Sequence, residues 1–230
     1  MNEIDSEFDL RSDSKGLDPD FASPTLRRYH QLLWSKPLPS GVHLNLKPGS
    51  DLYLSGSAGD LNLNLASDTI SNSMAGHKSL AHFVAELPEG LVDHFRTVGS
   101  TIGARILFPG DSVDKKPTIN AARGFHPRIK DRFDLTLECV RLFYKDQPSP
   151  LSIVFSRYKE FFDLFENFEG YVKFFFLQDL VHHSKVKFFT EMDDPFSRPP
   201  TPQNLNEYLI YASRSMEFIA MRNQRIRSLD

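Results

Sequence analysis

The chain has one cysteine in 230 residues, one tryptophan, no long apolar run and none of the common phosphate, nucleophile or metal signatures. The lone thiol, Cys139, rules out an intramolecular disulfide and fits a reducing compartment. Set among apolar neighbours at helical spacing, it reads as an inert core thiol; a nucleophile needs a nearby His and an accessible, electropositive setting. In the Phe cluster that begins at residue 160 the longest apolar run, residues 174–177, falls far short of the ~20 residues that span a bilayer, so no membrane segment is expected. The acidic beginning lacks a basic stretch followed by an apolar one, so a cytoplasmic location is expected. A Walker loop, G-x-S-x-G, H-E-x-x-H and G-x-G-x-x-G are all missing, which leaves the commonest enzyme classes without support. His182 and His183 have no Cys or further His at zinc spacing, and no metal site is expected. No cofactor is indicated.

What is present suits one globular domain. Forty per cent of the residues are hydrophobic, enough for a sizeable core. Many of the 20 phenylalanines cluster together, with Phe161, Phe162, Phe165, Phe168, Phe174, Phe175 and Phe176 within a short stretch that must be packed. The formal charge of −3 is unevenly spread, because residues 1–22 carry a net −5. That segment lacks periodicity and reads as a flexible acidic arm, with the globular domain over residues 23–230. The near-neutral body gives no footprint for a duplex-binding protein.

Periodicity predicts an α+β fold, predominantly helical, with a small antiparallel sheet packed on Phe-rich helices. Ser23 and Pro24 open the first helix as N-cap and first helical residue, and Pro37 and Pro39 stop it. Residues 41–65 alternate between Gly and Pro turns as two or three short strands, and residues 101–108 alternate as another. Helices are expected at 78–87 and 89–98, broken at Pro88, and at 131–145, 150–165, 169–181 and 205–227. A short turn or helix covers 119–122, and an extended run over 185–190 is available to join the sheet.

The helix at 131–145 carries a polar stripe of Asp131, Asp134, Glu138, Arg141 and Lys145, yet Arg132 and Thr136 fall on its apolar arc. A buried guanidinium needs a carboxylate, carbonyls or an anionic ligand, because leaving it unpaired costs several kcal/mol, roughly. The basic loop at 123–130 feeds the start of this helix, where free N–H groups and the dipole favour an anion such as phosphate. The competing reading pairs Arg132 with an internal carboxylate. Asp131, Asp134 and Glu138 form an acidic ridge that reads as a solvated, salt-linked stripe, since hard-cation sites draw ligands from several elements. Arg27, Arg28, His30 and Lys36 form a second cationic set. Trp34 beside it either stacks on a ring of a ligand or anchors the core.

The stretches SPTLRRYHQLLWSKPLPSG at 23–41, TINAARG at 118–124 and IKDRFDLTLEC at 129–139 resemble a family of uncharacterised bacterial proteins of about this length. The resemblance runs on through the Phe-rich helices to RNQR at 222–225. It implies one full-length cytoplasmic unit and a shared site using Asn120, Arg123, Arg132 and Asp134, with Trp34 and Lys36 beside them. It implies no established activity. Residues 47–77 and 110–116 depart from the family pattern, which bears on ligand choice.

Two functions follow as expectations. In the first, a cationic pocket walled by Asn120, Arg123, Arg128 and Arg132, with Trp34 and Lys36, binds a phosphate-bearing small molecule or a nucleic-acid end, with Asp134 as the candidate general base. In the second, the chain is a non-catalytic protein–protein interaction module whose arginine network is structural.

Overall fold

The computed structural model describes residues 4–49, 53–70 and 80–228. Leu52 of the expected strands and Lys78 and Ser79 of the expected 78–87 helix lie outside the described residues.

After a short helix α1 (Pro19–Ala22), α2 (Pro24–Trp34) starts where Ser23 accepts the Leu26 N–H at 3.1 Å and Pro24, lacking an N–H, needs no acceptor. Its apolar stripe of Leu26, Tyr29, Leu33 and Trp34 is buried and packs against β1 (Asn45–Pro48). β2 (Tyr53–Ala58) and β3 (Leu61–Thr69) form a hairpin closed by Gly59 and Asp60, and Gly59 takes the positive φ of 58° that such a turn demands. After α3 (Ala81–Ala85) and α4 (Glu89–Val98), β4 (Arg105–Pro109) completes an antiparallel sheet in the order β1-β2-β3-β4. Ala66 faces Phe108 across the β3–β4 ladder, and Thr69 faces Arg105.

Chain direction after β4 is mostly helical: α5 (Ile119–Phe125), α6 (Phe133–Phe143), α7 (Ser152–Ser156), α8 (Lys159–Asp163), α9 (Phe168–Phe174) and α10 (Leu205–Arg227). A separate hairpin of β5 (Val181–His182) and β6 (Lys185–Val186) takes up part of the extended 185–190 run, which therefore does not join the main sheet. This is an α+β single domain. The core centres on Phe165, whose ring lies 5.1–5.3 Å from those of Phe161, Tyr171, Phe174 and Phe175. Such tilted and edge-to-face pairs add about 0.5–1.5 kcal/mol each beyond the area they bury. Gly170 makes the approach of α9 possible, since a Cβ there would sit 2.1 Å from the Phe165 carbonyl oxygen.

The structure also departs from sequence periodicity elsewhere, and the expected 169–181 helix ends at Phe174, followed by a 3₁₀ turn at Gln178–Leu180 and β5. Residues 4–22 are not a free arm: Leu10 is fully buried and its N–H donates to the Ser100 carbonyl at 2.9 Å, while Glu7 and Asp20 pair with Arg227 and Arg105. Two acids of the first segment are thus matched against cations of the body. Residues 101–104 turn as a 3₁₀ segment, and β4 is buried along its whole length, so its alternation does not mark an exposed face. The 150–165 segment splits into α7 and α8 at Arg157 and Tyr158, whose N–H groups donate only three residues back, to the Val154 and Phe155 carbonyls at 3.1 and 2.9 Å, and whose side chains donate to the carbonyls of Pro117 and Asp111 at 2.6 and 2.9 Å. The 131–145 helix starts only at Phe133, because Lys130 and Asp131 have φ of 46° and 63° and the Asp131 N–H is held by the Arg123 carbonyl at 3.1 Å. Arg132 is therefore the N-cap residue of α6 and not a side chain midway along its buried face. Asp134 and Glu138 are buried, so the acidic ridge is not a solvated stripe.

Candidate functional site

The two arginines that stood out in the sequence end in separate, internally satisfied networks. Arg132 closes a fork on Asp134, with Nε donating to Oδ1 at 3.0 Å and Nη2 donating to Oδ2, while Nη1 donates to Thr190 Oγ1 at 3.0 Å and the Pro200 carbonyl at 2.8 Å. Asp134 also accepts the Phe189 N–H at 2.8 Å, and both side chains are sealed from solvent. Arg123 donates to Asp68, to the carbonyls of Thr69 and Asp131, and from Nε to Thr136 Oγ1 at 3.2 Å. Thr136 in turn donates to the Arg132 carbonyl at 2.9 Å, which explains its polarity on the buried face. A single hydroxyl joins the two networks. Neither guanidinium faces a cavity, and Arg128 lies apart from both, exposed and bonded to the Phe196 carbonyl.

Trp34 is fully buried, with Phe174, Phe175 and Phe176 around it, and Lys36 stands over its ring at the wall of an apolar groove. Of the residues expected to meet in one pocket, only Asn120 lines a polar cleft. That cleft, about 360 Å³, also exposes Asp18, Asp20 and Asp68. The Asn120 amide donates to the Ser67 carbonyl at 3.3 Å, and its buried oxygen has no partner.

Asp18 and Asp20 line a second, larger cleft of about 550 Å³ that Arg11, Arg96, Arg105, Thr69 and Ser100 complete. Its floor is the ion pair of Arg105 Nη1 with both Asp20 oxygens at 3.0 Å, in which Arg105 is buried and Asp20 keeps a small exposed fraction. Arg105 is held in place by the β3–β4 ladder and by α10, from which Arg222 donates to the Arg105 carbonyl at 2.6 Å. Burial raises the Asp20 carboxyl above the usual range despite Arg105 and a hydrogen bond from Ser67. Arg105 Nε and Thr69 Oγ1 are buried without any partner. In Arg11, Arg132, Arg141 and Arg225 the Nε–Nη2 edge closes a fork on a carboxylate, but in Arg105 that edge makes no hydrogen bond, and its Nε is buried.

Sequence reasoning passed over Arg105 and Asp20. The signal was available in the same form as for Arg132, as a lone cation inside a hydrophobic strand. Its partner, however, lies 85 positions away in a segment read as a free arm. Among the described residues no group of three or more His, Cys, Asp or Glu could hold a metal ion, and no helix is long and apolar enough to cross a membrane.

Compared with known proteins, residues 4–226 match the model of a family of unknown function, DUF6994. No curated protein and no solved structure matches the chain.

Proposed function

We propose that this chain, which belongs to that family of unknown function, binds a small molecule bearing a phosphate or carboxylate group in the cleft over Asp20 and Arg105. The observation that carries the reading is the unbonded Nε–Nη2 edge of a buried arginine whose remaining terminal nitrogen is already spent on Asp20. That edge matches the two oxygens of a carboxylate or phosphate and leaves Asp20 paired when the ligand docks. Arg11 and Arg96, half exposed at the wall, are paired with Asp9 and Asp93, and the Thr69 hydroxyl is free to donate. The carboxylates of Asp18 and Asp20 in the same wall disfavour a polyanion, so a small ligand fits better than a nucleic-acid end. If a proton is exchanged with the bound molecule, Asp20 is the group placed for it, since Asp134 is sealed under Arg132 and the Phe189 N–H. The reducing setting suggested by the lone buried thiol favours the cytoplasm.

The test is thermal unfolding against inorganic phosphate, nucleoside monophosphates, phosphorylated sugars and short carboxylic acids. A ligand of the native state at a hundred times its Kd adds about 2.7 kcal/mol of stability. Arg105→Lys keeps a cation beside Asp20 but removes the fork, and is expected to fold while weakening the active ligand at least tenfold. Arg128→Ala is expected to leave it unchanged. No ligand response, or equal binding by Arg105→Lys, overturns the reading.

The interaction-module reading draws on the saturated networks of Arg123 and Arg132, which are built as core ties, and on Phe125 and Ile153, exposed on the neighbouring helices α5 and α7. A silent ligand panel would favour it.

A further inference from the structure

A third cavity shares no lining residue with the Arg105 cleft. It is a groove of about 1000 Å³ between the α2 exit and α9, walled by Leu32, Leu38, Phe174 and Phe176, with Lys36 and Lys173 as its cations. The Lys36 ammonium sits 3.8, 4.6 and 4.8 Å from the ring centres of Phe176, Phe174 and Trp34. Its single hydrogen bond is donated to the Phe174 carbonyl at 2.7 Å, and no carboxylate lies within ion-pair distance among the described residues. A further cation adds to the imbalance: Arg222, fully buried and 5.7 Å from the centre of the Trp34 ring, bonds only to carbonyls and leaves Nη2 without a partner. Glu169, the one acid in the groove wall, already accepts the Ser184 hydroxyl at 2.8 Å.

Phe176 is held at φ 55°, a conformation that bulky L-residues avoid and that persists only where surrounding packing enforces it. The strain seats its ring directly against the Lys36 amine. Burial, followed by the field of Arg222, pulls the Lys36 ammonium down to about 7. A cation so placed, at the end of an apolar trough and lacking a counter-charge, is complementary to a molecule with one carboxylate and an apolar body.

We propose that this groove binds an amphipathic monocarboxylate, its apolar chain or ring along Leu32, Leu38 and Phe174 and its carboxylate on Lys36. The site is independent of the Arg105 cleft, and its failure leaves that reading intact.

Trp34 is the only tryptophan, and it packs behind Lys36, Phe174 and Phe176 of the groove wall, so its fluorescence reports on the groove through them. The full chain is titrated with decanoate, below its micelle threshold, and with decanol. Saturable change in Trp34 emission with decanoate, at least tenfold tighter than with decanol, is the expected result. Lys36→Met should remove that preference. Should that variant fail to fold, Leu32→Glu, which sets a carboxylate in the trough at a half-buried position, is expected to weaken decanoate at least tenfold. On the unaltered protein, saturating decanoate should slow reductive methylation of Lys36 at least tenfold, read by peptide mass spectrometry, and leave exposed Lys15 unaffected. Equal affinity for the acid and the alcohol, or unchanged Lys36 labelling, overturns the proposal.

Discussion

The indole N–H of Trp34 donates to Nδ1 of His30 at 3.0 Å, and that bond decides what His30 can do. An indole nitrogen only donates, so Nδ1 is the acceptor and the neutral ring carries its proton on Nε2. Nε2 then donates to Ser67 Oγ at 2.9 Å, and the Ser67 hydroxyl donates onward to Asp20. The Ser67–His30 pair therefore runs opposite to a nucleophile–base pair. His30 positions Ser67 and Asp20 at the back of the clefts.

Burial, reinforced by Arg105 and Arg222, lowers the His30 pKa to about 3 from 6.5. Between those values the unfolded chain binds a proton that the folded chain refuses, so stability falls as pH drops from about 6.5 towards 3. The slope from this residue approaches about 1.4 kcal/mol per pH unit. Urea midpoints at pH 7, 6, 5 and 4 measure it, and His30→Gln should flatten the curve over that window. An equally steep curve in the variant would count against the assignment.

Removing one partner of the Arg132–Asp134 fork strands a charge in the core. Asp134→Ala and Arg132→Ala are each expected to destabilise by about 3–5 kcal/mol, while Arg132→Met combined with Asp134→Leu recovers part of the loss. Chemical denaturation of the three variants checks this. Near-neutral single variants would mean the pair is not buried as described.

Gly103 lies in the 3₁₀ turn that α10 clamps through Asn223 Oδ1, which accepts the Gly103 N–H at 2.7 Å. A Cβ there would sit 2.4 Å from that oxygen and 2.7 Å from the Ile219 carbonyl oxygen. Gly103→Ala should cost about 1–3 kcal/mol through crowding. Gly90→Ala in α4, with nothing within 4 Å, should be neutral or raise stability by up to about 1 kcal/mol. Melting temperatures of the two variants give the comparison.

The Cys139 thiol is pushed up to about 12 by burial. Ellman's reagent at pH 8 should leave the native protein unlabelled on the minutes scale and react with one equivalent in denaturant. Rapid native labelling would show that α6 opens locally.

Local chemistry was legible wherever a short stretch carried its own instructions. Ser23 and Pro24 open α2 with the bonds their side chains demand, and the Phe-rich stretch became the aromatic centre around Phe165. The sequence also showed that Arg132 must have a partner, because a buried guanidinium cannot stand alone. It could not say which. Asp134 is two residues away, but the choice between it and a ligand depended on how Lys130 and Asp131 turn the backbone, and that turn is held by the Arg123 carbonyl.

The chain alone established an α+β domain with a small antiparallel sheet, an aromatic core and a buried-cation problem, because helix caps, alternation and apolar content act over a few residues. Tertiary structure chose the pairings. Arg105 meets Asp20 across 85 positions, Arg123 meets Asp68 across 55, and Lys36 meets Phe174 across 138. Pairings at that range carry no local periodicity, and which cation is left with an unbonded edge depends on how the acidic first segment folds back over β4.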